Sequence, residues 1–461
     1  MNILYLHAHD AGRIVQPYGY PVPTPNLQRF AEESVLFRKA FCVAPTCGPS
    51  RAALTTGQYP HQAGMFGLPN AYQWAFDDYS KHVVRQFKDL GYLTVLAGVH
   101  HECEKSDTPI LGYERLLDSE APAREVPGHW YPETIEKTEA FLATYRQTYG
   151  DRPFFLSVGI DEPHRDNLPR PELNLHGRSD RFSKTRYYDP AKLDSRYTAP
   201  PPGLPDLPGL RQDMASYQRG ARIMDDYMGR VFEALEHTGL DQDTLVIVTS
   251  DHGIEFPGAK KTLGDQGIQV MLMLRGPKGG DTPFCGGRVM EPMVTHLDLY
   301  PTLVELCGLR PPQTLEGKSL LPLVRGEVAT LHEMIFCEQT YHGPEEAIRC
   351  ARSERYKFVR RLHPTAHRMR HDGPATPLVE PLGWYDRPTG TEELYDLYLD
   401  PFEAHNRIHD PALAGVRAEH AAALEDWMAR TGDPFPGGKF PAPGSLVDVK
   451  KIQAEAHAQT R

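Results

Sequence analysis

The chain has 461 residues, 40% of them apolar and 24% charged, an ordinary globular usage that excludes disorder and collagen-like repeats. That length suggests about three units or one large α/β domain carrying a smaller one, and it buries enough surface to fold without disulfide or metal staples. The formal net charge of −11 argues against a nucleic-acid or anionic-membrane partner, so a positive field for an anionic substrate must be local.

The opening Asn2-Ile3-Leu4-Tyr5-Leu6 predicts a first strand, Ile3 to Leu6, and it lacks the basic start and longer apolar core of a signal peptide. No apolar run approaches the roughly 18 residues of a membrane span. The seven cysteines, Cys42, Cys47, Cys103, Cys285, Cys307, Cys337 and Cys350, follow no framework spacing, which suits a reducing compartment; a cytoplasmic location is expected. In chain order the patterning predicts helices over Pro25–Glu33 and Ser50–Thr56, a strand over Thr94–Ala97, a helix over Pro132–Tyr149 and a strand over Phe154–Ile160. A Pro/Gly loop from Tyr197 to Pro205 follows. Next come a helix over Met214–Leu235, strands over Leu245–Thr249 and Val270–Leu274, and a helix over His296–Leu306. Tyr217, Ala221, Met224, Met228, Val231 and Leu235 recur at helical spacing as a core-facing stripe. Continuous apolar runs such as Leu245 to Val248 suit strands covered on both faces, hence a large, mainly parallel or mixed sheet sandwiched by helices. Near residue 330 the texture changes. Short antiparallel strands are predicted around Tyr356–Val359 and Glu393–Asp396, then a helix over Pro411–Arg430 and a Pro/Gly-rich tail. The division is therefore 1–330 for a large α/β domain and 331–461 for a smaller α+β subdomain.

The strongest chemical signal is Cys47-Gly48-Pro49-Ser50-Arg51. Pro49 and Ser50 suit a helix start, where free backbone N–H groups favour an anion. Arg51 stands one turn past Cys47, so the pair resembles an activated nucleophile beside a cation, as attack on an anionic oxyester requires. Four fixed letters at this spacing arise by chance in on the order of one in a thousand chains of this length. The alternative is a buried cysteine before an ordinary helix. A second constellation is His9-Asp10 after the first strand and Asp251-His252-Gly253 after another; strand ends of a parallel sheet converge, so both pairs can meet at one point.

The pentad is the sulfatase signature, and the sequence resembles the type I sulfatases of the alkaline phosphatase superfamily over nearly its whole length, most of all their heparan N-sulfatase (sulfamidase) branch. The echoes are Leu36 to Phe41, Arg152 to Leu156, Pro163-His164-Arg165, Gly383-Trp384-Tyr385 and Glu393 to Asp396. The resemblance implies an alkaline phosphatase-like fold and conversion of Cys47 to formylglycine by a separate formylglycine-generating enzyme. The aldehyde hydrate then offers one hydroxyl to attack sulfur and a second whose collapse expels sulfate. It places one divalent metal ion on His9, Asp10, Asp251 and His252, where the family's usual set is two aspartates and an Asp-Asn pair. Two imidazoles argue for Mn, Zn or Fe over Ca or Mg; the alternative for His9 is a supporting or core histidine. The resemblance also implies that Lys260 grips the sulfate, that His164 or His101 protonates the leaving group, and that Arg51, Lys260, His164, Arg165 and His101 form the catalytic and substrate-binding set. The family's Gly-Lys-x-His lysine is Val99 here, which removes a charge. Lys261 and His100 read as solvated neighbours.

Two further features are weaker. His363, His367 and His371 fall at i, i+4, i+8, but Pro364 argues for a solvated loop over a metal-binding helix face. Arg352 to Arg361 alternates charged and apolar residues as a half-buried strand would, either meeting an acidic saccharide or forming a solvated edge. The resulting expectation is a formylglycine- and metal-dependent sulfatase acting on sulfate esters or sulfamates of a sulfated amino sugar such as N-sulfoglucosamine. The alternatives are a phosphonate monoester or phosphodiester hydrolase on the same scaffold, favoured by His252, and a catalytically weak sulfated-sugar binding protein. A small anionic substrate is the expected partner, with self-assembly into a homo-oligomer left open.

Overall fold

The computed structural model describes residues 1–69, 74–119, 131–165, 182–183, 194–342, 345–371 and 373–442. One mixed sheet holds β1 (Asn2–Ala8), β2 (Val35–Phe41), β3 (Leu93–Gly98), β4 (Arg115–Leu116), β5 (Phe154–Ile160), β6 (Thr244–Ser250), β7 (Gln269–Val270), β8 (Leu272–Arg275) and β9 (Arg288–Thr295). Their order is β4-β3-β5-β1-β6-β8-β2-β7, with β9 paired to β2. The run β4 to β6 is parallel, β8 lies antiparallel between β6 and β2, and β9 is parallel to β2. Every residue of β1, β5 and β6 is buried, as strands covered on both faces require.

The two faces pack different helices because side chains alternate along each strand. Leu4, Leu6, Val246 and Val248 meet Leu27 and Phe30 of the Pro25–Glu33 helix, Phe141 and Tyr145 of the Tyr131–Tyr149 helix, and Met224, Met228, Val231 and Leu235 of the Pro208–His237 helix. Ile3, Tyr5, Leu245 and Ile247 meet Leu54 of the Cys47–Thr56 helix, Val84 and Phe87 of the Val83–Asp89 helix, and Leu303 of the Leu299–Leu306 helix.

A second sheet, β10 (Met334–Tyr341), β11 (Glu345–Ser353), β12 (Tyr356–Arg361) and β13 (Glu392–Asp396), is antiparallel in that order and backed by the Ala414–Thr431 helix. Its apolar face joins the first core: Ile335, Cys337, Cys350 and Val359 belong to the same cluster as Ile3 and Phe41. Buried charges fasten the two sheets as well. Asp265 accepts from Arg352 at 3.2 and 2.9 Å and lies 2.6 Å from Lys357 Nζ, which also donates to Glu403 at 2.7 Å.

Several expectations need correction. The helix expected from Ser50 begins at Cys47, so the cysteine is its first residue rather than its approach. The strand expected over 270–274 is interrupted at Met271, with one piece pairing to each end of β2. Residues 352–361 are not one strand, because Glu354 and Arg355 turn the chain and split it into the β11–β12 hairpin. β12 lies inside the sheet, not at a solvated edge, and its Lys357 is fully buried. His363, His367 and His371 share no helix face. His367 reaches Asp386, while buried His371 donates from Nε2 to the Lys260 carbonyl at 2.5 Å. The Pro/Gly-rich tail lies outside the described residues from 443 onward.

Candidate functional site

Adjacent parallel strands β3, β5, β1 and β6 end at one edge, and each runs directly into polar residues. β1 delivers His9 and Asp10, β6 Asp251 and His252, β5 Asp161 and His164, and β3 His100 and His101. The Cys47–Thr56 helix lowers its first residue onto this edge. Gly48 is required there: a Cβ would meet Pro69 Cδ at 2.8 Å and the carbonyls of Gly67 and His101 at 3.2 and 3.3 Å. Asp10, His101 and Lys261 adopt φ of 62°, 51° and 69°, a region L side chains rarely occupy, and they concentrate backbone strain at the site.

The Sγ of Cys47 lies 3.0 Å from His9 Nε2 and 3.3 Å from His252 Nε2. His9 Nε2 is 3.5 Å from both Asp10 Oδ1 and Asp251 Oδ2, and His252 Nε2 is 3.3 and 3.6 Å from the same two oxygens. These spacings are about those between ligands of a divalent ion with bonds of roughly 2.1 Å. The tautomers agree. His252 donates from Nδ1 to the Gly253 carbonyl at 3.0 Å, and His9 donates from Nδ1 to Asp161 Oδ1 at 3.3 Å, so both Nε2 lone pairs face the centre. Asp10 Oδ1 is buried with no hydrogen-bond partner among the described residues, an orphan that a cation would satisfy. The donor set thus fits a metal.

Electrostatics prepare the ligands. Burial holds His9 well below the usual imidazole range and lowers His252 to about 4, so both stay neutral. Burial alone would raise Asp251, but the neighbouring His252 and Arg51 and the Asp10 N–H bring its carboxyl below the usual range. Burial raises Asp10, against the pull of Lys260. Burial also pushes the Cys47 thiol up to about 12, so the unconverted side chain is protonated and a poor nucleophile at neutral pH.

Around this centre, Lys260 Nζ donates to Asp10 Oδ2 at 2.6 Å and lies 3.5 Å from Glu255. His164 donates from Nδ1 to the Arg165 carbonyl at 2.7 Å, which turns Nε2 toward Asp10 Oδ2 at 3.8 Å, and its ring lies 4.2 Å from that of His9. His101 presents its ring to His9 at 4.8 Å. Arg51 does not fold back to bond Cys47; it donates to Asp251 Oδ2 at 3.0 Å and to His7 Nδ1 at 2.7 Å. Arg165 is withdrawn from any substrate: it makes a bidentate pair with Asp213 at 2.8 and 2.6 Å, and Phe182 covers its guanidinium. Lys261 and His100 are buried, not solvated, and His100 contacts Thr108 and Glu102. Sequence reasoning missed the places of His7, Asp161 and Glu255 around the site. Asp161 was findable, because it follows β5 as Asp251 follows β6; the others carry no motif.

The sulfatase family model matches residues 1–309, two thirds of the chain. The chain belongs to the sulfatase family. It is therefore a sulfate ester or sulfamate hydrolase, of a family whose members employ a metal ion and formylglycine. A model described as N-sulphoglucosamine sulphohydrolase, C-terminal, matches residues 259–367. N-sulphoglucosamine sulphohydrolase of Homo sapiens is 29% identical, over 94% of this chain and 91% of that protein. A solved structure described as in complex with its substrate D-glucosamine-2-N,6-O-disulfate aligns with TM-score 0.66 at 20% identity, covering 94% of this chain and 99% of that one. The phosphonate monoester hydrolase of Silicibacter pomeroyi aligns with TM-score 0.65 at 20% identity, covering 93% and 95%. At those identities the solved structures speak for the fold.

Proposed function

We propose that the protein hydrolyses the sulfamate or sulfate ester of an amino sugar, using formylglycine made from Cys47 and one divalent ion held by His9, Asp10, Asp251 and His252. The observation that carries this reading is the buried cage itself: each imidazole Nε2 lies 3.0–3.6 Å from Cys47 Sγ and from both carboxylates, all five groups lie within 4.8 Å of one another, and Asp10 Oδ1 has no hydrogen-bond partner among the described residues. Two nitrogen donors favour Mn, Zn or Fe. A cation there supplies Lewis acidity to the transferring group and its nucleophile. Conversion of Cys47 supplies a hydrated aldehyde, one hydroxyl to displace the leaving group at sulfur and another to permit sulfate release. Lys260 moves its charge from Asp10 to a sulfate oxygen, Arg51 holds Asp251 in place, and His164 Nε2 delivers a proton to the departing nitrogen or oxygen. The N-sulphoglucosamine relative and the C-terminal family model support the amino-sugar substrate.

Protein made alongside a formylglycine-generating enzyme is expected to hydrolyse glucosamine N-sulfate in preference to an aryl phosphonate. Cys47→Ala removes that turnover, and the mass of the Cys47 peptide shows sulfur replaced by oxygen. Retained turnover in Cys47→Ala refutes the role given to Cys47. Faster phosphonate cleavage supports the second reading, a phosphonate monoester hydrolase, which His252 in the ligand set favours. Sugar binding without turnover in the converted protein supports the binding-protein reading.

A further inference from the structure

The metal ligands and Cys47 are sealed, so the leaving-group portion of a substrate must lie toward whatever residues at the rim remain partly exposed. Two histidines meet that condition, His101 and His342, both half-buried. His342 comes from the second sheet: it follows the last residue of β10, whose Tyr341 N–H donates to the Phe66 carbonyl at 3.1 Å. The same Phe66–Gly67 segment covers the start of the Cys47 helix, since a Cβ on Gly48 would meet the Gly67 carbonyl and one on Gly67 would meet Tyr341 Cβ at 3.0 Å. β10 is tied down a few residues earlier too, where Glu338 N–H donates to the Val43 carbonyl at 2.9 Å. The strand that delivers His342 is thus tied at two points to segments flanking the nucleophile helix.

Its surroundings are those of the site. Burial first, then the charges of Lys261 and Lys260, keep the ring neutral, with Glu255 and His252 the next groups that act on it. Nδ1 is buried and has no hydrogen-bond partner among the described residues. A buried, unanswered ring nitrogen costs stability unless something bonds to it in the working state. Metal coordination does not answer it, because His342 is absent from the cluster of potential ligand groups around Cys47. A neutral imidazole has one N–H and one lone pair, the complement of a sugar hydroxyl, whereas the anionic sulfate end is served by Lys260.

We propose that His342 binds a ring hydroxyl of the sugar beside the sulfated position and so makes the enzyme select saccharides over simple aryl sulfates. This rests on the sulfamate or sulfate ester reading of the site above. The second sheet then contributes directly to specificity through a residue that follows a strand tied to the segments on either side of the nucleophile helix.

The test compares glucosamine N-sulfate with an aryl sulfate in wild type, His342→Ala and His342→Gln, each at full metal loading. A site built to bond a hydroxyl loses discrimination when that bond is removed. The ratio of kcat/KM for sugar over aryl sulfate is expected to fall on the order of ten- to a hundredfold in His342→Ala, mainly through KM, and to recover partly in His342→Gln, which keeps a donor and an acceptor. Equal losses on both substrates overturn the inference and assign His342 to general support of the site; an unchanged ratio overturns it outright. If wild type hydrolyses neither sulfate but cleaves an aryl phosphonate, the reading of the function fails, and this inference falls with it.

Discussion

Asp161 decides which nitrogen of His9 faces the proposed cation site, since its side-chain oxygen accepts the Nδ1 proton. Asp161→Asn keeps the size but not the charge, and supporting carboxylates of this kind typically account for ten- to a hundredfold in metal affinity. A loss on that order is expected in competition with a chromophoric chelator, while the thermal stability of the metal-free protein changes little; unchanged affinity would place His9 outside the ligand set. This residue also marks how far single positions were legible. That His9, Asp10, Asp251 and His252 converge could be read because a parallel sheet collects its strand ends, and that Cys47 meets them because a helix start announces itself. Lys261, His100 and Arg165 were misjudged for the opposite reason. Whether a basic side chain lies in water or against a carboxylate depends on loops that local patterning does not reveal, and Asp213, which captures Arg165, stands 48 positions away.

Among the elements, apolar runs without interruption were legible: β1, β5 and β6 fill both faces of the sheet and so needed no alternation. β2 was not, because Arg38 and Lys39 interrupt its run, nor was β9, whose first residues are exposed. β12 was legible at Tyr356–Val359, but Arg352 to Arg361 also read as one strand because the turn at Glu354-Arg355 lacks the glycine or asparagine that marks tight turns. A buried pair, Arg349 with Asp433 at 2.5 and 2.9 Å, ties the β11–β12 hairpin to the residues just past the Ala414–Thr431 helix. Burial alone would raise the Asp433 carboxyl, but the hydrogen bond and charge of Arg349 keep it below the usual range. A carboxyl depressed in the folded state stabilises fully above its unfolded pKa of about 3.9, and that contribution is lost as pH falls through the lower folded value. Asp433→Asn therefore costs most at neutral pH, about 1.5–3 kcal/mol for losing a charge-assisted hydrogen bond, since Glu338, 3.5 Å from Arg349 Nε, still compensates part of the guanidinium charge. The gap in Tm from wild type should narrow as pH falls below about 4, where the unfolded chain takes up the proton, and close once the folded carboxyl is protonated at its lower value. A gap independent of pH would mean that the pair is not ionised in the folded protein.

For the molecule as a whole, the two sheets separate along the sequence, with strands from Asn2 to Thr295 in one and from Met334 to Asp396 in the other, yet they do not separate in space. Cys337, Cys350 and Val359 share an apolar cluster with Ile3, Phe41 and Leu245, and Arg352 and Lys357 meet Asp265 out of solvent. Peeling the second sheet away would expose that cluster and strand those charges, costs that together exceed the few kcal/mol separating folded from unfolded proteins. It would also release the lysine loop, because His371 bonds the Lys260 carbonyl and Lys357 bonds the Leu263 carbonyl at 2.9 Å. The chain should therefore unfold as one unit, and the site should fail with it. Tryptophan fluorescence reports on the junction, since Trp74 lies 5.1 Å from Tyr341 and Trp427 lies 4.9 Å from Tyr59, whereas far-UV circular dichroism weights the helices of the large sheet. In a urea titration of the full chain the two signals and the loss of turnover are expected to share one midpoint. A fluorescence change completed at lower urea, with helicity still intact, would show that the second sheet can leave while the first stays folded.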